Sequence, residues 1–99
     1  MKVHFTARAR RRVERIGSWW REHRPAAPDL FALELANAIE AIRTQPNTGT
    51  VWEARRGVTL RRVLLPQTEQ HVYYALDAAK GVVIIHTIWG ARRGRGPKL

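Results

Sequence analysis

The chain has 99 residues, no cysteine, and 18 lysines and arginines against 8 acidic residues, which gives a formal net charge of +10. This length suits one domain spanning residues 1–99, and the lack of cysteine excludes disulfides, thiolate zinc sites and a cysteine nucleophile. The longest apolar run covers only residues 81–85, far fewer than the roughly 20 residues that cross a bilayer, so we expect a cytoplasmic protein without membrane contact.

The N-terminal half of the sequence predicts a short strand followed by two helices. Residues 2–6 alternate between polar and apolar side chains, as in a strand. Thr6 is a typical N-cap for a helix that ends near His23, and a second helix begins after Pro28 and ends before Pro46. Because the link between the helices is short, we expect an antiparallel hairpin. The predicted buried stripes are Ala9, Val13, Ile16, Trp20, Phe31, Leu35, Ile39 and Ile42.

The C-terminal half predicts a sheet, because its apolar residues recur with a period of two and are mostly Val, Ile, Tyr and Leu. Three strands are expected at residues 58–65, 70–77 and 82–89, and their short connections indicate an antiparallel meander. Residues 51–53 either add a fourth short strand or cap the core. The predicted fold class is therefore α+β, with the helix hairpin covering one face of a three-to-four-stranded antiparallel sheet.

The alternation in the strand at residues 70–77 separates two faces of this sheet. Val72 and Tyr74 point towards the helices, whereas His71 and Tyr73 point the other way. We expect this second face to be open to a partner and to carry basic residues from the neighbouring strand.

Positive charge is concentrated at both ends of the sequence. Residues 1–24 hold eight basic and two acidic residues, residues 25–54 one and four, and residues 55–99 nine and two. A field of this kind attracts nucleic acid or an acidic protein. The glycines and arginines from residue 90 onward predict a flexible basic tail that can follow an acidic surface or a phosphate backbone.

The first predicted helix carries most of the N-terminal arginines. When Val13 lies at the centre of the buried stripe, Arg8, Arg11 and Arg15 share the opposite side and Trp19 lies at its border. This side is either a solvated helix face or a binding surface for an acidic partner.

The order of the elements, with Arg61-Arg62 in one strand, HVYY at residues 71–74 in the next and WGARRGRGP at residues 89–97, resembles the RelE/ParE toxins of bacterial type II toxin–antitoxin modules. The resemblance covers nearly the whole chain. It implies a toxin that a largely acidic antitoxin wraps and neutralises, in a complex able to assemble further on operator DNA.

Two activities occur in this superfamily. RelE-like members cut messenger RNA on the ribosome, whereas ParE-like members are not enzymes and instead bind DNA gyrase and trap its cleaved complex with DNA. RNA cleavage through the 2′-hydroxyl needs a proton acceptor, cations around the phosphate and a proton donor to the leaving oxygen. The sequence offers Arg61, His71 and Arg92 for these roles, but no tyrosine or histidine follows Arg92.

We therefore expect a ParE-like gyrase inhibitor, with a ribosome-dependent messenger RNA endoribonuclease as the alternative and a non-toxic basic DNA-binding protein as the second alternative. Four histidines without a partner at ligand spacing give no reason to expect a metal, and no cofactor is expected. The predicted antitoxin-binding residues are Arg8, Arg11, Arg15 and Trp19. The predicted target-binding residues are Arg61, Arg62, His71, Tyr73, Arg92, Arg93 and Arg95.

Overall fold

The computed structural model describes residues 1–92 and 94–99, so Arg93 of the predicted target-binding set lies outside the described residues. A 3-10 turn at Pro46–Thr48 follows the second helix. The helices and strands are β1 Lys2–Phe5, α1 Ala7–His23, α2 Leu30–Thr44, β2 Thr50–Arg55, β3 Val58–Leu65, β4 Gln70–Asp77 and β5 Val82–Gly90.

The strands form one sheet in the order β1-β5-β4-β3-β2. The α+β class and the three strands expected in the C-terminal half are confirmed, and residues 51–53 belong to a fourth antiparallel strand, β2. The sequence did not predict that β1 would join this sheet, where it pairs in parallel with β5. The two helices lead the chain from β1 at one edge of the sheet to β2 at the other edge.

A tight turn at Arg56 and Gly57 joins β2 to β3. Both residues have positive φ angles, 52° and 79°. Positive φ at both central positions is the geometry of the type I′ hairpin turn, whose twist matches that of the flanking strands. This turn places β2 beside β3 as an antiparallel strand of the sheet.

The two predicted helix stripes are confirmed as the face that covers the sheet. α1 is capped by Thr6, whose Oγ1 accepts a hydrogen bond from the Ala9 amide at 3.1 Å. Val13, Trp20 and Ile39 pack around the core at partial burial. The buried residues of this layer are Ala9, Ile16, Phe31, Leu35, Ile42, Leu65, Val72, Tyr74, Val83, Ile85 and Ile88.

The helix hairpin is antiparallel, because the end of α1 and the beginning of α2 meet at the same turn of the sheet. Trp19 and Trp20 line a cleft with the β3–β4 turn. From α2, Glu34 accepts hydrogen bonds from the backbone amides of Gln67 and Thr68 at 2.8 and 3.0 Å. Within the described ranges, neither helix is long and apolar enough to cross a membrane.

α1 also closes the edge of β5 beyond the point where β1 ends. β1 pairs with β5 only as far as Ile85. Thr6 Oγ1 then donates to the His86 carbonyl at 2.9 Å, and Arg12 Nε donates to the Ile88 carbonyl at 2.9 Å. These bonds satisfy part of a strand edge that would otherwise be free to pair with another chain.

Candidate functional site

The pairing of β3, β4 and β5 assembles a polar cluster on the sheet face opposite the helices. Arg62 lies across from Tyr73, and His71 lies across from Trp89. Arg62 Nη1 donates to the Tyr73 hydroxyl at 3.3 Å, and the His71 and Tyr73 rings meet edge to face with centroids 6.0 Å apart. Arg62, His71 and Tyr73 therefore come together as the sequence predicted.

This face is not open, and that expectation was wrong. Tyr73 is only 1% exposed and Ala75 only 5%. Trp52 covers Tyr73 in an edge-to-face contact, with centroids 5.0 Å apart. The register of β2 against β3 shifts between Val51 and Glu53. Such a bulge re-aims a side chain, which accounts for the position of Trp52 over the sheet.

The basic tail supplies the rest of the cover. The Arg95 carbonyl accepts a hydrogen bond from Trp89 Nε1 at 2.9 Å, and Pro97 is buried. Farther along, the Lys98 carbonyl accepts a hydrogen bond from the Arg8 guanidinium. A Cβ atom on Gly96 would lie 2.5 Å from Trp52 Cζ2, so only glycine allows this approach. The flexibility of the tail remains a prediction, but its described residues lie against the sheet.

A cleft of about 240 Å³ remains between the sheet and the tail. Four predicted target-binding residues line it, namely Arg62, His71, Tyr73 and Arg95. The described residues that line the cleft include two guanidinium groups and no carboxylate. Its chemistry therefore favours an anionic or hydrogen-bond-accepting partner.

The surroundings of His71 favour the neutral form of its ring. Burial, and in second place the neighbouring Arg62 guanidinium, lower the pKa of His71 below its ordinary value of 6.5. Both effects disfavour the imidazolium. His71 thus adds a hydrogen-bonding ring to the cleft rather than a third positive charge.

Arg61 does not belong to this cleft, although the sequence placed it in the same set. It pairs with Tyr74 and therefore points to the helix-covered face. Its Nη1 donates to the Gly49 carbonyl at 2.8 Å, which fixes the loop before β2. Tyr74 fixes the same loop, because its hydroxyl accepts from the Gly49 amide at 2.9 Å and donates to the Pro46 carbonyl at 2.7 Å.

Arg92 lies beside the cleft but is not among the residues that line it. Its guanidinium forms a two-pronged ion pair with the Glu69 carboxylate, with Nη2 and Oε1 2.9 Å apart. The Ala91 amide also donates to the Glu69 carbonyl at 2.8 Å. Glu69 thereby ties the beginning of the tail to the β3–β4 turn.

The three residues suggested for RNA cleavage consequently occupy three different places. Arg61 holds a loop on the helix side, His71 lies in the cleft, and Arg92 is paired with Glu69. The charge-stabilising and proton-transfer groups of a cleavage site must converge on one phosphate. This arrangement does not bring them together.

The predicted antitoxin-binding residues all lie on α1, but they differ in their surroundings. Arg11 and Arg15 are exposed, and Trp19 is 43% exposed. Arg8 is half-buried because its guanidinium contacts the tail. A separate apolar groove of about 700 Å³ runs between α1 and α2, where Phe31 and Leu35 line it.

Sequence reasoning missed three residues that shape the cleft. Trp52, Gly96 and Glu69 were not placed in any site, yet they cover Tyr73 or hold the tail. A glycine inside a basic tail could have indicated a close backbone approach. No signal in the sequence identified its tryptophan partner.

No group of three or more histidine and acidic side chains is arranged to hold a metal ion within residues 1–92 and 94–99. The sequence matches no protein-family model and no curated protein.

Proposed function

We propose that the protein is a cytoplasmic ParE-like toxin that inhibits DNA gyrase and is neutralised by an acidic antitoxin. The observation that carries this proposal is the cation-lined cleft between the sheet and the tail, whose described residues include Arg62 and Arg95 and no carboxylate. A surface of this kind suits a non-enzymatic partner of a nucleic-acid-bound target. The order of the elements, which resembles the RelE/ParE toxins, supports the same proposal.

The dispersal of the suggested catalytic residues favours binding over RNA cleavage. Of the side chains that line the cleft, only His71 has an ordinary pKa near neutral pH. Arginine remains protonated at neutral pH, so it cannot accept a proton and is a poor proton donor. A single histidine would have to remove one proton and deliver another, whereas a binding surface makes no such demand.

The helix hairpin suits the antitoxin. An acidic, amphipathic segment would lay its apolar side chains in the groove between α1 and α2, beside Phe31 and Leu35. Its carboxylates would meet the arginines of α1, where Arg11 is exposed and makes no ion pair with the described residues. Complexes of this kind would then assemble on operator DNA through the antitoxin.

Expression of the toxin without an antitoxin tests the proposal. We expect the wild-type protein to arrest growth and to produce gyrase-dependent DNA cleavage in the cells. Arg62→Ala removes one cation from the cleft and should reduce toxicity by at least about tenfold, the usual effect of losing a contact in the centre of an interface. Arg10→Ala is the matched control, because Arg10 is an exposed arginine outside the cleft. Equal toxicity of both variants would contradict the proposal, and normal growth with the wild type would favour the non-toxic DNA-binding alternative.

One observation favours the ribonuclease alternative, namely that a neutral His71 lies in the same cleft as Arg62. A neutral imidazole beside a guanidinium is able to accept a proton from a 2′-hydroxyl. If the protein cuts messenger RNA, His71→Gln should abolish the cutting while leaving ribosome binding intact. If the protein binds gyrase, His71→Gln should retain most of the toxicity, because the amide still provides a hydrogen-bonding group.

A further inference from the structure

A second charged cleft lies between the C-terminal half of α1 and the β3–β4 turn. Its volume is about 570 Å³. Arg12, Arg15 and Arg24 line it together with Trp19, Glu69 and Gln70. The predicted target set contributes none of these residues, so this cleft is distinct from the one under the tail.

The charge of this cleft is strongly positive. Among the described residues that line it, three are arginines and one is acidic, namely Glu69, which is already paired with Arg92. Arg15 is exposed and forms no hydrogen bond or ion pair within the described part of the chain. A guanidinium without a protein partner at the mouth of a basic cleft is free to bind a phosphate.

Aromatic side chains hold a second arginine in place. Arg24 Cζ lies 4.9 Å from the centroid of the Trp19 ring and 6.0 Å from that of Trp20. His23 stacks on Trp19 with centroids 4.8 Å apart and an interplanar angle of 13°. Although it has these neighbours, Trp19 is still 43% exposed. Trp19 therefore presents part of its ring to solvent beside the arginines of the cleft.

We propose that this cleft binds a short single-stranded segment of nucleic acid. Phosphates contact Arg15 and Arg24, and one base packs against the exposed part of the Trp19 ring. Basic side chains combined with an exposed aromatic ring are the usual means of binding single strands without sequence readout. The site goes beyond the proposed gyrase function and does not depend on it.

An acidic protein segment is the competing occupant, and the sequence analysis grouped Arg15 and Trp19 with the antitoxin contacts. Carboxylates would satisfy the arginines equally well. The exposed Trp19 ring among the arginines of the cleft favours the nucleotide, because a nucleotide supplies a flat ring and a phosphate together.

Fluorescence anisotropy with a labelled oligodeoxycytidine of twelve nucleotides tests the proposal on the purified protein. Trp19→Ala and Arg15→Ala should each weaken binding by roughly tenfold, because a stacked base or a phosphate contact is lost. Arg15→Ala should also lower the slope of log affinity against log salt by about one. Arg21→Ala is the matched control, since it removes an equal charge from the same helix at a position that lines the α1–α2 groove.

Three results would overturn the proposal. The first is an equal loss of oligonucleotide affinity with Arg21→Ala, which would attribute the binding to nonspecific electrostatic attraction. The second is no measurable oligonucleotide binding at low salt. The third is a polyglutamate peptide that binds with the same dependence on Trp19 while the oligonucleotide does not, which would assign the cleft to an acidic protein. Arg62→Ala should keep oligonucleotide binding in this cleft even where it abolishes toxicity, so a failure of the gyrase proposal can be told from a failure of this one.

Discussion

The two faces of the sheet are covered by different kinds of structure. On one face, two amphipathic helices bury Val72, Ile85 and Ile88 in a continuous apolar core. On the other face, one tryptophan and an irregular tail bury Tyr73 and leave a cationic cleft beside it. The same strands thus supply a core on one side and a covered cationic cleft on the other.

The two covering layers differ in how much they contribute to the free energy of unfolding. Helices that bury whole side chains contribute most of the stability of a small domain. The tail is held by a few contacts, chiefly those of Gly96 with Trp52 and of Arg95 with Trp89. We infer that changes on the helix-covered face mainly affect folding, whereas changes under the tail mainly affect the shape of the cleft.

The largest expected effect comes from the helix-covered face. Ile88 is 0% exposed, and Ile88→Ala should lower the free energy of unfolding by about 2–5 kcal/mol, because it leaves a cavity in the core. Urea denaturation followed by circular dichroism measures this loss. Leu33→Ala, at a residue that is 63% exposed, is the control and should change stability by less than about 0.5 kcal/mol. Similar losses in both variants would contradict the assignment of the core.

The next effect tests the cover formed by the tail. Gly96→Ala places a methyl group within 2.5 Å of the Trp52 ring, so tail and ring must separate, at a cost of about 1–3 kcal/mol. Quenching of tryptophan fluorescence by acrylamide should increase. Gly94→Ala meets nothing within 4 Å and should leave the quenching unchanged. If acrylamide quenches the fluorescence of both variants to the same extent as that of the wild type, the tail does not cover Trp52.

The adjacent tyrosines allow a comparison of the two faces with the same substitution. Tyr74→Phe removes two hydrogen bonds that fix the loop at Gly49, and it should cost about 1–2 kcal/mol because Gly49 is buried. Tyr73→Phe removes only the 3.3 Å bond from Arg62, so its cost should be at or below about 0.5 kcal/mol. Thermal unfolding of both variants measures the difference. A larger loss for Tyr73→Phe would reverse the assigned roles of the two faces.

The smallest effect concerns pH. Burial and Arg62 lower the pKa of His71 in the folded protein, so the unfolded chain takes up this proton more readily. Stability should therefore fall as the pH drops below 6.5 towards the folded pKa. Arg62→Ala should move the pKa of His71 back towards 6.5, as measured by nuclear magnetic resonance titration of the ring protons. The pKa of His86, which burial and Arg8 lower, is the internal control and should not change.

The helix-covered face could be predicted because its signals are periodic. The spacing of residues such as Ile16 and Leu35 identified the buried stripes, and the alternation in β4 assigned Val72 and Tyr74 to the core. The opposite face could not be predicted in this way. Its cover depends on a bulge in β2 and on a glycine in an irregular tail, and neither leaves a periodic pattern.

Prediction of the candidate site from the sequence has the same limit. The sequence identified Arg62, His71 and Tyr73, but it could not separate Arg61 from them without knowing the register of β3. Adjacent residues of a strand point to opposite faces, so only one of the two arginines can line the cleft. The pairing of Arg92 with Glu69 depends on how the tail folds back, which composition alone does not reveal.

The most direct test of the proposed function compares two reactions of the purified wild-type protein. One reaction measures supercoiling of a relaxed plasmid by DNA gyrase, and the other measures cleavage of messenger RNA on translating ribosomes. The account predicts that supercoiling stops and cleaved plasmid accumulates while the messenger RNA remains intact. Cleaved messenger RNA together with unaffected supercoiling would contradict it.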